Sequence, residues 1–246
     1  MLNYTLLPMP TTFTTWNIYR GTHFELILET LRKINPDVIA LQEVSEIQID
    51  GHRVNVAEAL ARELGCAWHY CKSVAVTRGS DAYEIGNALL SKKPFVRKSC
   101  IALNDAAHYD QTVSTEPRTA CRAELQLGNT QLTVISTHIF HPHHEDAGAA
   151  TQQQISKLLT TLTDHTVLMG DFNNEGTSAA LEPLTARLTN TGGYSKEPTF
   201  INIKYNMNEK RRFDHIFATP ALKVKDYTVQ QSEASDHMPV TAVIDL

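Results

Sequence analysis

Seven residues, Val167-Leu168-Met169-Gly170-Asp171-Phe172-Asn173, constrain the fold of this chain more than any others. An apolar run without polar interruption stops at a glycine, and a carboxylate and a carboxamide follow two residues apart. Such a run reads as a strand buried on both faces, the kind found inside α/β sheets. The end of that strand borders the crevice in which open α/β sheets bind their ligands. An extended backbone points Asp171 and Asn173 the same way and Phe172 the other. A fixed anion beside a fixed amide is suited to orienting a water or holding a hard cation. The competing account is an ordinary turn closed by an Asx hydrogen bond.

The rest of the chain supplies the partners such a strand needs. Thr11–Ile18 reads as a strand, and Phe24–Ile34 carries apolar residues at Phe24, Ile27, Leu28, Leu31 and Ile34, the spacing of an amphipathic helix. Pro36 closes that helix and Asp37–Leu41 is a second buried strand. Val54–Leu64 is again helical, with Gly65 as its C-cap. Trp68–Val76 and Gly86–Leu90 read as strands, and Arg122–Leu127 with Gln131–Thr137 form a hairpin about Gly128-Asn129. Helices are expected over Thr151–Leu162 and Leu181–Leu188, and the last strands over Phe213–Ala218, Val224–Gln230 and Pro239–Ile244. Alternating helices and strands, interrupted by a hairpin, predict two packed sheets covered by helices in one domain.

Composition narrows the function classes. A net charge of −5 over 246 residues argues against a protein built to grip long nucleic acid, since that binding rests on many Lys and Arg contacts to phosphates. No apolar run approaches a membrane span, and Met1–Pro10 lacks a basic region followed by a long apolar core, so a cytoplasmic monomer is expected. Cys66, Cys71, Cys100 and Cys121 form no CxxC pair and read as reduced thiols rather than a disulfide framework.

Polar residues recur where strands end: Trp16-Asn17, Leu41-Gln42-Glu43, Ser136-Thr137-His138, Gly170-Asp171-Phe172-Asn173, Phe213-Asp214-His215 and Ser235-Asp236-His237. Together with Gly86-Asn87-Ala88-Leu89-Leu90-Ser91, this set and its order resemble the endonuclease/exonuclease/phosphatase superfamily over nearly the whole chain. The resemblance implies a four-layer α/β sandwich, two mixed β-sheets face to face with helices outside. It also implies hydrolysis of a phosphodiester or phosphomonoester by a Mg²⁺ or Mn²⁺ ion and an activated water.

Carried over residue by residue, the resemblance makes Glu43 the main metal ligand, helped by Asn17 and by Asp236 as a second acidic metal-site residue. Tyr19 stands where some members place a further carboxylate. Asp171 orients or deprotonates the attacking water and Asn173 helps hold that water or the phosphate. His237 contacts the phosphate with Asp214 as its partner, and a carboxylate on one ring nitrogen fixes the tautomer and favours the imidazolium. His138 is similar to a second active-site histidine of the deoxyribonuclease and sphingomyelinase branches. Arg118 and Asn87 are the substrate-binding candidates; a surface arginine and a structural asparagine are their bland counterparts.

Three features leave other readings open. His138, His141, His143 and His144, followed by Glu145 and Asp146, form a zinc-like cluster, so a zinc hydrolase is a rival. Lys204, Lys210, Arg211 and Arg212 form a basic stretch that either steers an anion or is simply solvated, with Tyr194, Phe200 and Tyr205 nearby to stack or to pack. The substrate expected is a small phosphodiester, a nucleotide or a lipid headgroup; a nuclease acting on DNA or RNA and a catalytically silent binding module are the alternatives.

Overall fold

The computed structural model describes residues 10–78, 81–104, 116–141, 147–193, 195–201 and 209–246. In chain order its strands are β1 (Pro10–Asn17), β2 (Val38–Val44), β3 (Glu46–Ile49), β4 (His52–Asn55), β5 (Ala67–Arg78), β6 (Asp81–Ser91), β7 (Phe95–Ala102), β8 (Thr119–Leu127), β9 (Thr130–His138), β10 (Thr166–Asp171), β11 (Thr189–Asn190), β12 (Phe200–Ile201), β13 (Lys210–Arg211), β14 (Asp214–Ala218), β15 (Lys223–Val229) and β16 (Val240–Asp245). The helices are α1 (Phe24–Ile34), α2 (Val56–Leu64), α3 (Ala147–Leu159) and α4 (Glu182–Thr185).

Two six-stranded mixed sheets organise these elements, in the orders β15-β16-β1-β2-β6-β5 and β11-β14-β10-β9-β8-β7. Each contains one parallel pair, β1 with β2 and β9 with β10. The layers follow from the two-residue period of a strand. Val167 and Met169 of β10 enter the core between the sheets with Phe13, Val38, Ala40, Val134, Ile216 and Val240. Leu168 points the other way, into a cluster with Ile155 and Leu158 of α3 and Leu181 and Leu184 near α4. On the first sheet Ile39 and Leu41 turn outward onto Ile27 and Leu31 of α1 and Leu60 of α2. The result is the expected four-layer sandwich. A strand covered on both faces has no solvent side, so its sequence carries no alternation.

Local signals set the helix ends. α1 occupies its predicted span and stops at left-handed Asn35. Asn55 caps α2 by accepting from Ala57 N at 2.9 Å, and Gly65 closes it with φ +66°. Three expectations change. The predicted helix Leu181–Leu188 is a 3-10 turn at Ala179–Leu181 followed by the single turn α4, since Pro183 suits only a first turn. α3 starts and ends earlier than the apolar stripe suggested. β7 was not foreseen, because an edge strand with exposed Val96, Arg97 and Lys98 has no continuous apolar run.

The cysteine expectation is overturned. Cys71 of β5 and Cys100 of β7 form a disulfide that joins the edge strands of the two sheets, while Cys66 and Cys121 are free. Separation by 29 residues leaves no motif to read; only the stacking of the sheets brings the two together.

Two interactions hold the end of β10. A Cβ on Gly170 would collide with the Thr137 carbonyl oxygen of neighbouring β9, so the strands approach this closely only with glycine there. Behind the strand, buried His215 donates from Nε2 to Asn174 O (3.0 Å), and its Nδ1 faces Asn190 Nδ2 (3.3 Å). Burial pushes the His215 imidazole down to about 3, with the Arg212 guanidinium acting in the same direction.

Gly170→Ala is therefore expected to cost about 1–3 kcal/mol by overpacking, a fall of about 2–4 °C in Tm per kcal/mol, read by denaturant and thermal unfolding. Unfolded histidine binds a proton below about pH 6.5 that native His215 refuses until about pH 3. Its contribution is thus present above pH 6.5 and lost as the pH falls toward 3, about 1.4 kcal/mol per pH unit for one proton. Denaturant midpoints measured from pH 7 to 4 should fall less steeply in His215→Asn than in the native chain.

Candidate active site

The two parallel pairs end at the same rim. In the first sheet Asn17 of β1 lies in register with Gln42 of β2. In the second, Asp171 of β10 lies in register with His138 of β9 on one side and Asp214 of β14 on the other. Parallel pairing aligns the carboxyl ends of neighbouring strands, and face-to-face packing brings the two sets of ends together.

Departures from regular strand geometry aim the side chains. β2 bulges between Leu41 and Val44, and Glu43 takes φ +53°. The bulge releases Glu43 from strict alternation. Gln42 stays buried against Ser136 Oγ (3.0 Å), while half-buried Glu43 reaches Asn17 Nδ2 through Oε1 (3.1 Å). The end of β10 combines both sequence readings. Asn173 is left-handed (φ +49°) and its N–H donates to Asp171 Oδ1 (2.9 Å). The backbone is an Asx turn rather than extended, and the turn itself brings the two polar side chains to one side.

Asp171 is the hub. Its Oδ2 accepts from Asn17 Nδ2 (3.1 Å) and lies 3.4 Å from His138 Nε2 and 3.6 Å from His237 Nε2. His237 Nδ1 donates to Asp214 Oδ2 (2.8 Å). Burial alone would depress the His237 imidazole, but the Asp214 and Asp171 carboxylates outweigh it and raise it to about 10. Burial likewise pushes the Asp171 carboxyl up to about 7; the His237 cation and the Asn17 amide oppose this and Asp214 adds to it.

His138 is different. Asn173 Nδ2 donates to the Ile139 carbonyl (3.0 Å), which can only accept, and its second hydrogen faces His138 Nε2 (3.0 Å). His138 Nε2 is thus an acceptor on a neutral ring. Burial, aided by Arg118 and His237, holds its imidazole well below the usual range.

The remaining candidates lie around this hub. Ser235 Oγ donates to Asn17 O (2.7 Å) and lies 3.2 Å from Asp236 Oδ1. Arg118 Nη2 pairs with Glu116 at 3.1 Å, its Nε has no hydrogen-bond partner among the described residues, and its charge is felt at His138. Asn87 is buried and donates to Thr119 O (2.7 Å), a bond to the backbone beneath Arg118 rather than to the hub. Arg212 does not steer ligands from a solvated loop. It is buried over the Tyr227 ring, with Nε 3.4 Å from Tyr227 Oη. Lys204, Tyr194, Tyr205, His143, His144, Glu145 and Asp146 lie outside the described residues.

Several supporting residues drew no site role from the sequence, and Phe200 only the choice between stacking and packing. Thr199 Oγ1 accepts from the N–H groups of Phe213 and Asp214, each at 3.0 Å. Phe200 stacks on Phe213 and lies 4.9 Å from the His237 ring. Trp16 Nε1 donates to His237 O (2.8 Å). Their types are ordinary core types, and only contact reveals the service. Ser235 was visible in the Ser-Asp-His triplet, a carrier of local backbone bonds.

Asn17, Glu43 and Asp236 offer oxygen donors, and Glu43 is open to solvent; this chemistry fits a hard divalent cation that retains several waters. Asp171, Asp214 and His237 also present ligand atoms within 4.8 Å of one another, but these are already engaged with one another or with Asn17.

Solved structures share the fold. An endonuclease/exonuclease/phosphatase from Beutenbergia cavernae DSM 12333 superposes with a TM-score of 0.78 at 22% identity, over 96% of this chain and 72% of that one. A family protein from Leptotrichia buccalis C-1013-b gives 0.74 at 23%, over 96% and 100%. The mannosyl-6-phosphatase of Bacteroides thetaiotaomicron VPI-5482 gives 0.68 at 19%, over 96% and 100%. No protein of curated function matches the sequence. The pattern of the Endonuclease/Exonuclease/phosphatase family matches residues 14–237, from the middle of β1 to the histidine bound to Asp214, and the chain belongs to that family of phosphoester hydrolases.

Proposed function

We propose that this protein hydrolyses a small phosphomonoester or phosphodiester with Mg²⁺ or Mn²⁺ as cofactor. The observation that carries the reading is the environment of Asp171: a buried carboxylate bonded to Asn17, beside a His237 cation and one amide away from Glu43.

Glu43, Asn17 and Asp236 would hold the ion. When bound, it supplies positive charge to the phosphate oxygens. The chain's own groups do the rest. Asp171, raised to about 7, is matched to taking a proton from water near neutral pH. Asn173 and neutral His138 hold that water in line with phosphorus, and phosphoryl transfer depends chiefly on such positioning. His237, kept cationic and oriented by Asp214, donates from Nε2 to the oxygen on which charge grows. Arg118 adds a second cation from the rim. The oxygen-only donor set favours magnesium over the zinc alternative, because catalytic zinc sites are built chiefly on histidine or cysteine, with carboxylates in a minority. The net charge of −5 and the burial of Arg212 favour a small substrate over a nucleic-acid duplex.

The test is turnover of chromogenic phosphodiesters and monoesters, nucleotides, sugar phosphates and single-stranded DNA with Mg²⁺, Mn²⁺ or Zn²⁺. Chelation should abolish activity, and Mg²⁺ or Mn²⁺ should restore it. Asp171→Asn should lower kcat about 10²–10⁴-fold with the fold intact by circular dichroism. Glu43→Gln should raise the Mg²⁺ concentration for half-maximal rate about tenfold or more. Equal inertness of the native chain and Asp171→Asn across the panel would turn the assignment toward a binding module.

A further inference from the structure

A second cluster of potential ligands lies away from the rim, where the edge strands of the two sheets meet. His69 and Cys71 are two residues apart on β5 and point to one side of it. Cys100 of β7 and Cys121 of β8 are direct cross-strand partners and share a face. Packing sets the two pairs against each other. His69 Nε2 lies 3.5 Å from Cys71 Sγ and 3.9 Å from Cys100 Sγ, and Cys121 Sγ donates to His69 O at 3.3 Å. Ligand atoms of His69, Cys71 and Cys121 all fall within 4.8 Å of one another.

We propose that His69, Cys71, Cys100 and Cys121 are a redox-gated zinc site, closed by the Cys71–Cys100 disulfide and opened by its reduction. Three sulfurs and one imidazole are a Cys₃His set, a common composition of structural zinc sites. Zinc bonds of about 2.3 Å to sulfur and 2.0–2.1 Å to nitrogen, at a tetrahedral angle, place the two donors about 3.6 Å apart. The observed nitrogen-to-sulfur separations bracket that figure. His69 Nε2 now faces Ser99 O at 3.2 Å and would exchange that bond for the metal. Burial depresses the His69 imidazole and so favours the neutral ring that can ligate. Cys71 and Cys121 are buried, whereas Cys100 is exposed, which gives reductant and ion a way in.

The chemistry balances. An external dithiol attacks the disulfide and is itself oxidised to a disulfide, and Cys71 and Cys100 each gain a proton as thiols. Zn²⁺ then displaces the protons of three thiols to solvent as three zinc–sulfur bonds form. Either state ties β5 to β7, so the join between the sheets survives reduction. It also lies beside substrate-binding candidate Asn87: Cys71 pairs in register with Asn87, and Thr119 bonds both Cys71 O and, through its own carbonyl, Asn87.

The experiment uses the whole protein with Co²⁺ as a spectroscopic substitute for zinc. After treatment with dithiothreitol and chelator and anaerobic desalting, Co²⁺ should produce a thiolate-to-cobalt charge-transfer band that saturates at one equivalent and disappears on adding Zn²⁺. The untreated, disulfide-bonded protein should give no band. Cys100→Ser, a change at an exposed position, and Cys121→Ser should each lose the saturating band, while Glu43→Gln should retain it. Absence of the band from native protein whose thiols all titrate as free would overturn the proposal. So would its loss in Glu43→Gln, which would assign the cobalt to the rim instead.

Discussion

The burial of one carboxylate organises this protein's polar chemistry. Asp171 is 1% exposed at the end of a strand that is buried along its whole length. An unpaired charge there would cost several kcal/mol. Relief comes from three directions: the Asn173 N–H within its own turn, Asn17 from the opposite sheet, and the His237 cation from the last loop. Asn17 is held in turn by Ser235, and His237 by Trp16 and by Asp214, which Thr199 fixes through its backbone N–H. The site is thus a consequence of satisfying one buried group, and the same low-dielectric surroundings raise that group into the range useful to a base.

Asymmetry within the network separates the roles of the two histidines. His237 faces two carboxylates and is cationic; His138 faces an amide donor and the field of Arg118 and is neutral. Both end up at similar distances from Asp171 Oδ2, 3.6 and 3.4 Å, so distance to the acid does not distinguish them. Their other partners do. Residue type and position alone do not separate the two, because those partners come from distant segments, Asp214 for His237 and Asn173 for His138.

Legibility in the sequence followed how local each determinant was. α1 was readable because its apolar stripe and closing signal lie in one short stretch, Phe24 to Pro36. β10 was readable because burial on both faces leaves an uninterrupted apolar run, Val167–Met169, before the glycine. β7 was not, since its stability comes from pairing with β8 at a sheet edge and its surface is solvated. The same held for Arg212, which reads as one of three consecutive cations yet packs over Tyr227, fifteen residues away.

By itself the sequence determined two packed sheets covered by helices and the inventory of polar residues at strand ends, because strand period, helix period and cap chemistry act over a few residues. Only the tertiary structure decided which of those residues touch, which histidine is charged, that a bulge in β2 aims Glu43, and that His69, Cys71 and Cys121 on β5 and β8 face one another. These depend on contacts between distant segments, such as Ser235 with Asn17, 218 residues apart, and on burial, which sets protonation and has no value until the sheets have closed.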